Sequence, residues 1–208
     1  MSSPAPWANL YCRRRSMSDP LQVFLDAIAA GDDARTEEAA LALSRLGDTA
    51  LPTLRDLLAD ADLDCRWWAA RALAAIGTPA ARKLLATALS DPDPDVRACA
   101  AQGLGELQAA EAVDDLVRCL ADPSPYVSRI AADALGRIGA PAVSALIAAL
   151  QDGGTPARAG AARALSIIQP EDAVPALCAA LDDPSAIVTY YAEEALERMG
   201  VGGVLIQP

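Results

Sequence analysis

The sequence predicts an all-α protein: an α-solenoid of about twelve helices, built from helix pairs that recur about every 31 residues. Three observations predict it. Leucines recur in two helical registers, alanine-rich stripes lie between them, and aspartate-bearing turns return at the same period.

The clearest copy is Asp91–Ala121. Asp93 followed by Pro94 reads as an N-cap and a proline at the first helical position, where the missing N–H costs nothing. Val96, Ala100, Gly103, Leu104 and Leu107 then give the apolar face of a first helix, helix A. A second helix, helix B, runs from Glu111 to Ala121 with Ala112, Val113, Leu116 and Leu120 as its stripe.

The other copies follow by register. Helix A supplies Leu43, Leu73, Leu104, Leu135, Leu165 and Leu196, and helix B supplies Leu54, Leu85, Leu116, Leu146 and Leu177. The turns repeat as Asp91-Pro92, Asp122-Pro123 and Asp183-Pro184, with Asp60 and Asp152 lacking the proline. Alanine pairs such as Ala69-Ala70, Ala100-Ala101 and Ala131-Ala132 keep helix propensity high and let neighbouring helices approach closely. One helix pair cannot bury its own apolar faces, so neighbours must stack into a continuous core.

In chain order, residues 1–18 read as a disordered N-terminal extension. They carry Arg13-Arg14-Arg15 and no apolar segment of the secretory kind, and Met17 offers an alternative start. Residues 19–208 read as one repeat domain with a half-repeat cap at each end. A lone helix B over 19–30 aligns Leu21, Phe24 and Ile28 with Leu51, Leu54 and Leu58. Pairs follow at 34–59, 64–90, 94–121, 125–151 and 155–182, then a lone helix A over 185–199. Gly200 fits a helix stop, and the apolar tail Val201–Ile206 is expected to fold back over that helix.

The run Asp-Pro-Asp-Pro-Asp-Val-Arg-Ala-Cys-Ala-Ala-Gln-Gly-Leu-Gly at Asp91–Gly105 resembles the HEAT-like repeat of the phycobilisome bilin lyases, a repeat also found in stand-alone prokaryotic proteins. The resemblance spans roughly residues 20–199; the tetratricopeptide and ankyrin signatures of similar period are absent. It implies a right-handed superhelix with the B helices lining its concave side. It also implies that the arginine at Arg97, repeated at Arg66 and Arg158, pairs with a loop aspartate of an adjacent repeat. That ladder is then broken at Ser128 and Thr189.

Composition narrows function. A net charge of −11 disfavours a phosphate backbone, so no nucleic-acid partner is expected. No apolar run reaches the length of about 18 residues that spans a bilayer, so no membrane partner is expected either. Five scattered cysteines without a paired spacing predict reduced thiols in a cytoplasmic protein. The chain has no histidine. Ser-His-Asp, Cys-His and His-metal chemistry are therefore excluded, and no catalytic, cofactor-binding or metal-binding residue is predicted.

What remains is a binding surface for another protein, on a monomer or weak homodimer. The outward stripe of helix B reads Pro52 and Asp56, then Lys83, Thr87 and Ser90, then Asp114, Asp115 and Arg118, then Ser144, Ala148 and Gln151, then Pro175, Ala179 and Asp182. It is charged early and bland late, which suits a protein segment or helix; the other reading is a plain solvated face. Two aromatic pairs on A helices, Trp67-Trp68 and Tyr190-Tyr191, either fill gaps where alanine leaves room or present edges to a partner. The protein-binding set is accordingly Trp67, Lys83, Thr87, Asp114, Asp115, Arg118 and Tyr190. The alternative, implied by the resemblance, is a bilin lyase or bilin-handling subunit acting on a phycobiliprotein.

Overall fold

The computed structural model describes residues 19–201. The expectations for the extension at 1–18, Cys12 included, and for the tail at 202–208 lie outside the described residues. Among the described residues there are twelve α-helices and six short 3-10 turns, with no strand.

Contacts gather into two compact units, Met1–Ala88 and Leu89–Pro208. In the first unit α1 (Pro20–Ala30) is the lone helix B, followed by the pairs α2 (Asp33–Leu43) with α3 (Leu51–Leu58) and α4 (Leu63–Ile76) with α5 (Pro79–Thr87). In the second unit the pairs are α6 (Pro94–Glu106) with α7 (Val113–Cys119), α8 (Pro125–Ile138) with α9 (Val143–Asp152), and α10 (Thr155–Ile168) with α11 (Val174–Ala179). The lone helix A, α12 (Ala186–Arg198), closes it. Every helix expected from the leucine register is present.

The caps explain the starts. Asp19, Asp62 and Asp93 accept hydrogen bonds from the Leu21, Asp64 and Asp95 amides, and Thr78 from the Ala81 amide. Each satisfies a donor that the first turn of a helix leaves free. At the far end, Gly200 has φ +72°, and the Val201 amide donates back to the Leu196 carbonyl at 2.9 Å.

The B helices are shorter than expected. The stretch Glu111–Ala121 is a helix only over Val113–Cys119, preceded by a 3-10 turn at Ala110–Ala112. The tight turn has a physical cause: Ala109 and Ala112 are both buried, and the chain must reverse within a few residues to lay helix B on helix A. The Ala112 amide closes it by donating to the Ala109 carbonyl at 2.9 Å.

The aligned leucines are the core. Phe24, Leu43, Leu54, Leu73 and Leu85 in the first unit, and Leu104, Leu116, Leu135, Leu146, Leu165 and Leu177 in the second, are fully buried. Each contributes roughly 2 kcal/mol of transfer free energy relative to exposure. Small residues set how closely A helices approach: a Cβ built on Gly105 would lie 2.6 Å from the Ala134 Cα, so α6 and α8 touch backbone to backbone. Cys65 is buried, as a core position should be. Burial pushes its thiol up to about 12, helped by Asp60, Asp62 and Asp64, so it is held as the unreactive thiol.

Candidate interaction surface

The arginine positions come first, because they separate scaffold from surface. The Arg97 Nε and Nη2 donate to the two carboxylate oxygens of Asp122, both at 2.8 Å, and Nη1 donates to the Asp91 and Pro92 carbonyls at 2.8 and 3.1 Å. The two side chains are only 14% and 7% exposed. Arg158 repeats the device, bidentate on Asp183 with Nη1 on the Gly153 carbonyl. Each aspartate carboxylate also accepts the amide two residues on, from Ser124 and Ser185. The arginine thus ties its own loop to the next one, and its role is structural. At the substituted positions a hydroxyl turns back locally: Thr36 donates to the Asp32 carbonyl, Ser128 to that of Leu120, and Thr189 to that of Ser185.

This ladder makes stability depend on pH. Burial alone would raise Asp122, but the hydrogen bonds from Arg97 and the Ser124 amide outweigh it and hold the carboxyl below its usual range. Asp183 is lowered first by its bond from Arg158. A lowered carboxyl contributes stability above its unfolded value, about 4, and that contribution is lost as pH falls through the folded value. Asp122→Asn is therefore expected to be less stable than the native chain near pH 7 and to converge with it as pH drops below about 4. Urea unfolding of both proteins across pH checks this, and a constant gap would contradict it.

The expected stripe of helix B is exposed. Pro52 and Asp56 on α3 and Lys83 and Thr87 on α5 face solvent in the first unit. In the second unit so do Asp114 and Arg118 on α7, Ser144 and Ala148 on α9, and Pro175 and Ala179 on α11; Asp115 is half-buried. Asp115 accepts a hydrogen bond from Arg118 one turn away on the same helix. Trp67, half-buried on α4, meets Trp68 edge-on at 4.8 Å, with Trp68 buried. Tyr190, 57% exposed on α12, meets Tyr191 at 5.2 Å. The seven residues are divided between the two units. Trp67, Lys83 and Thr87 belong to the first unit, Asp114, Asp115, Arg118 and Tyr190 to the second. Within them, Trp67 and Tyr190 sit on A helices and the other five on B helices.

A second set of contacts, between A helices, has no counterpart in the sequence reading. Arg71 on α4 is bidentate on Glu37 of α2 at 2.5 and 3.2 Å. Arg163 on α10 reaches Asp133 of α8 at 2.9 and 3.0 Å and lies 5.7 Å from the centre of the Tyr191 ring of α12. Tyr126, 48% exposed, lies under the Arg129 guanidinium at 5.5 Å, which adds an aromatic that the pairing argument passes over. The spacing of Asp133 and Arg163, opposite charges at one register position in consecutive copies, was the available signal.

A family profile described as HEAT repeats matches residues 21–90, 51–124, 81–154 and 119–197, which together run through most of the chain. The chain belongs to the HEAT-repeat family. Among solved structures, this HEAT-repeat chain is similar to the complex of CpcE and CpcF of phycocyanin lyase from Nostoc sp. PCC7120. The match is 25% identical, covers 69% of this chain and 96% of that one, and has a TM-score of 0.53. It also shares its fold with the archaeal HEAT-like repeats protein from Thermococcus onnurineus NA1, at 14% identity and TM-score 0.58, over 89% of this chain and 82% of that one. No curated protein matches it. A HEAT-repeat scaffold fits a protein-interaction role.

Proposed function

We propose that this chain is a non-catalytic interaction scaffold that holds another protein on the exposed stripe of its B helices. The observation that carries the reading is a stretch of small uncharged side chains, bordered by the exposed Asp152 and Asp182, on a strongly acidic chain. Ser144, Ala148, Pro175 and Ala179 are exposed on α9 and α11, while Leu146 and Leu177 on the same helices are fully buried and the chain as a whole carries −11. Small uncharged side chains let a partner helix or extended segment approach closely, and the acidic and basic groups of α7 at one border give it direction. Nucleic acid is disfavoured by the same net charge.

The test is affinity capture on the immobilised chain, beside an Asp115/Arg118/Trp67 triple-alanine variant and an Ala148→Arg variant. A protein retained by the native chain and lost from both variants at unchanged helical circular dichroism is the expected outcome. Equal retention by all three forms would refute the surface.

A second reading rests on the similarity to the complex of CpcE and CpcF: a bilin-handling subunit that works with a second chain. Incubation with a free bilin, read by its visible absorption, separates the two. A saturable spectral shift on the native chain favours the bilin reading, and a flat titration favours the scaffold.

A further inference from the structure

In the second unit every A helix meets the next along a seam, and the three seams are not fastened alike. The first, between α6 and α8, carries the Arg97–Asp122 clamp near its loop edge and the Gly105–Ala134 contact further along. The third, between α10 and α12, carries the Arg158–Asp183 clamp, with Arg163 donating to the Tyr191 hydroxyl and Arg198 to the Ser166 carbonyl at the other end.

The middle seam, between α8 and α10, lacks the clamp. Ser128 stands in place of the arginine, and its hydroxyl turns back to the Leu120 carbonyl at 2.7 Å. The aspartate of the following loop, Asp152, is exposed in the last turn of α9, where its charge opposes the helix dipole. The loop then runs through Gly153 and Gly154, residues that order at greater entropic cost than any other. The far end of the same seam is fastened. Asp133 takes both Nε and Nη2 of Arg163, and the Ile167 side chain seats on Gly136, whose added Cβ would lie 2.9 Å from it.

We propose that this seam is a built-in hinge: α8 and α10 splay apart at the Gly153-Gly154 edge while the Asp133–Arg163 pair and the Ile167–Gly136 contact act as the pin. A seam fastened at one end opens by rotation about that end, in the manner of the low-stability local openings that native proteins undergo. The motion changes the spacing of α9, which precedes the loop, and α11, which follows α10, and so the width of the surface they expose. The inference rests on the fastenings and stands whether or not that surface binds a protein.

Hydrogen exchange of the full chain, read by mass spectrometry or NMR, tests it. The Arg158 amide donates to the Gly154 carbonyl at 2.9 Å and the Ser128 amide to the Ser124 carbonyl at 3.1 Å, so the first turn of α10 and that of α8 are closed by the same backbone bond. Amides over 153–158 are expected to exchange at least about tenfold faster than those over 122–128. Arg97→Ala is expected to raise exchange over 122–128 to the level of 153–158. Ser128→Arg, which offers Asp152 a guanidinium, is expected to slow exchange over 153–158. Equal protection of the two loops in the native chain would overturn the hinge. So would a Ser128→Arg chain that stays folded, by circular dichroism, with exchange over 153–158 unchanged.

Discussion

Gly105→Ala is expected to destabilise the chain by about 2 kcal/mol, although alanine is the better helix former by about 1 kcal/mol. The new Cβ would lie 2.6 Å from the Ala134 Cα and 2.7 Å from its Cβ. Both are atoms of the helix wall, so no side-chain rotation relieves the collision. Either α6 and α8 separate along their length or both backbones bend. The interior is packed to near-crystalline density, so the separation is felt by the fully buried Leu104 and Leu135 on either side. Gly154→Ala is the matched control, because the nearest atom to its added Cβ is 4.0 Å away; it is expected to change stability by less than about 0.5 kcal/mol. Chemical denaturation of the two variants decides the matter. A Gly105→Ala chain as stable as the native one would show that the A helices are not in backbone contact.

Arg97→Ala is expected to cost about 3 kcal/mol, the low end of the range for breaking a desolvated ion pair. The loss has two parts. Asp122 is left with its charge 7% exposed and without its guanidinium, and the Asp91 and Pro92 carbonyls each lose a charge-assisted donor. Lysine cannot substitute, since one ammonium cannot span a carboxylate and two carbonyls in the fixed geometry that the guanidinium fork meets. Arg118→Ala is the contrast. That arginine is 72% exposed and bound to Asp115 on the same helix, an arrangement worth at most about 0.5 kcal/mol. A double-mutant cycle of Arg97 and Asp122 is expected to return a coupling of roughly 2 kcal/mol. Near-zero coupling would mean that the loops are held by backbone geometry alone.

The helices and their register were legible in the sequence because burial forces a period on leucine and alanine. Asp93 and Gly200 were legible because caps and stops draw on few residue types. The arginine ladder was legible at Arg97 and Arg158 through the resemblance. Two features were not. Asp133 and Arg163 look like ordinary solvated charges on their own helices, since the contact exists only once copies are stacked and nothing local marks it. Helix A of the third and fifth pairs turns off at Gln108 and Gln169 with φ of 48° and 56°, where a glycine would have announced the left-handed turn. The interaction surface lies further still from the sequence. Exposure of Ser144, Ala148, Pro175 and Ala179 follows from the helical period, but a surface of small residues carries no signature of the molecule that covers it.

The clamp also bears on how such a chain can change length. Arg97 and Asp122 lie within one cassette, residues 94–124, with the donor near its start and the acceptor near its end. Tandem duplication of that cassette gives every new copy its own fastened junction, with no neighbour altered. The cassette at 125–154 carries Ser128 and Asp152 instead, so its duplication multiplies loose junctions. Growth by the first route adds fastened seams, and growth by the second adds loose ones.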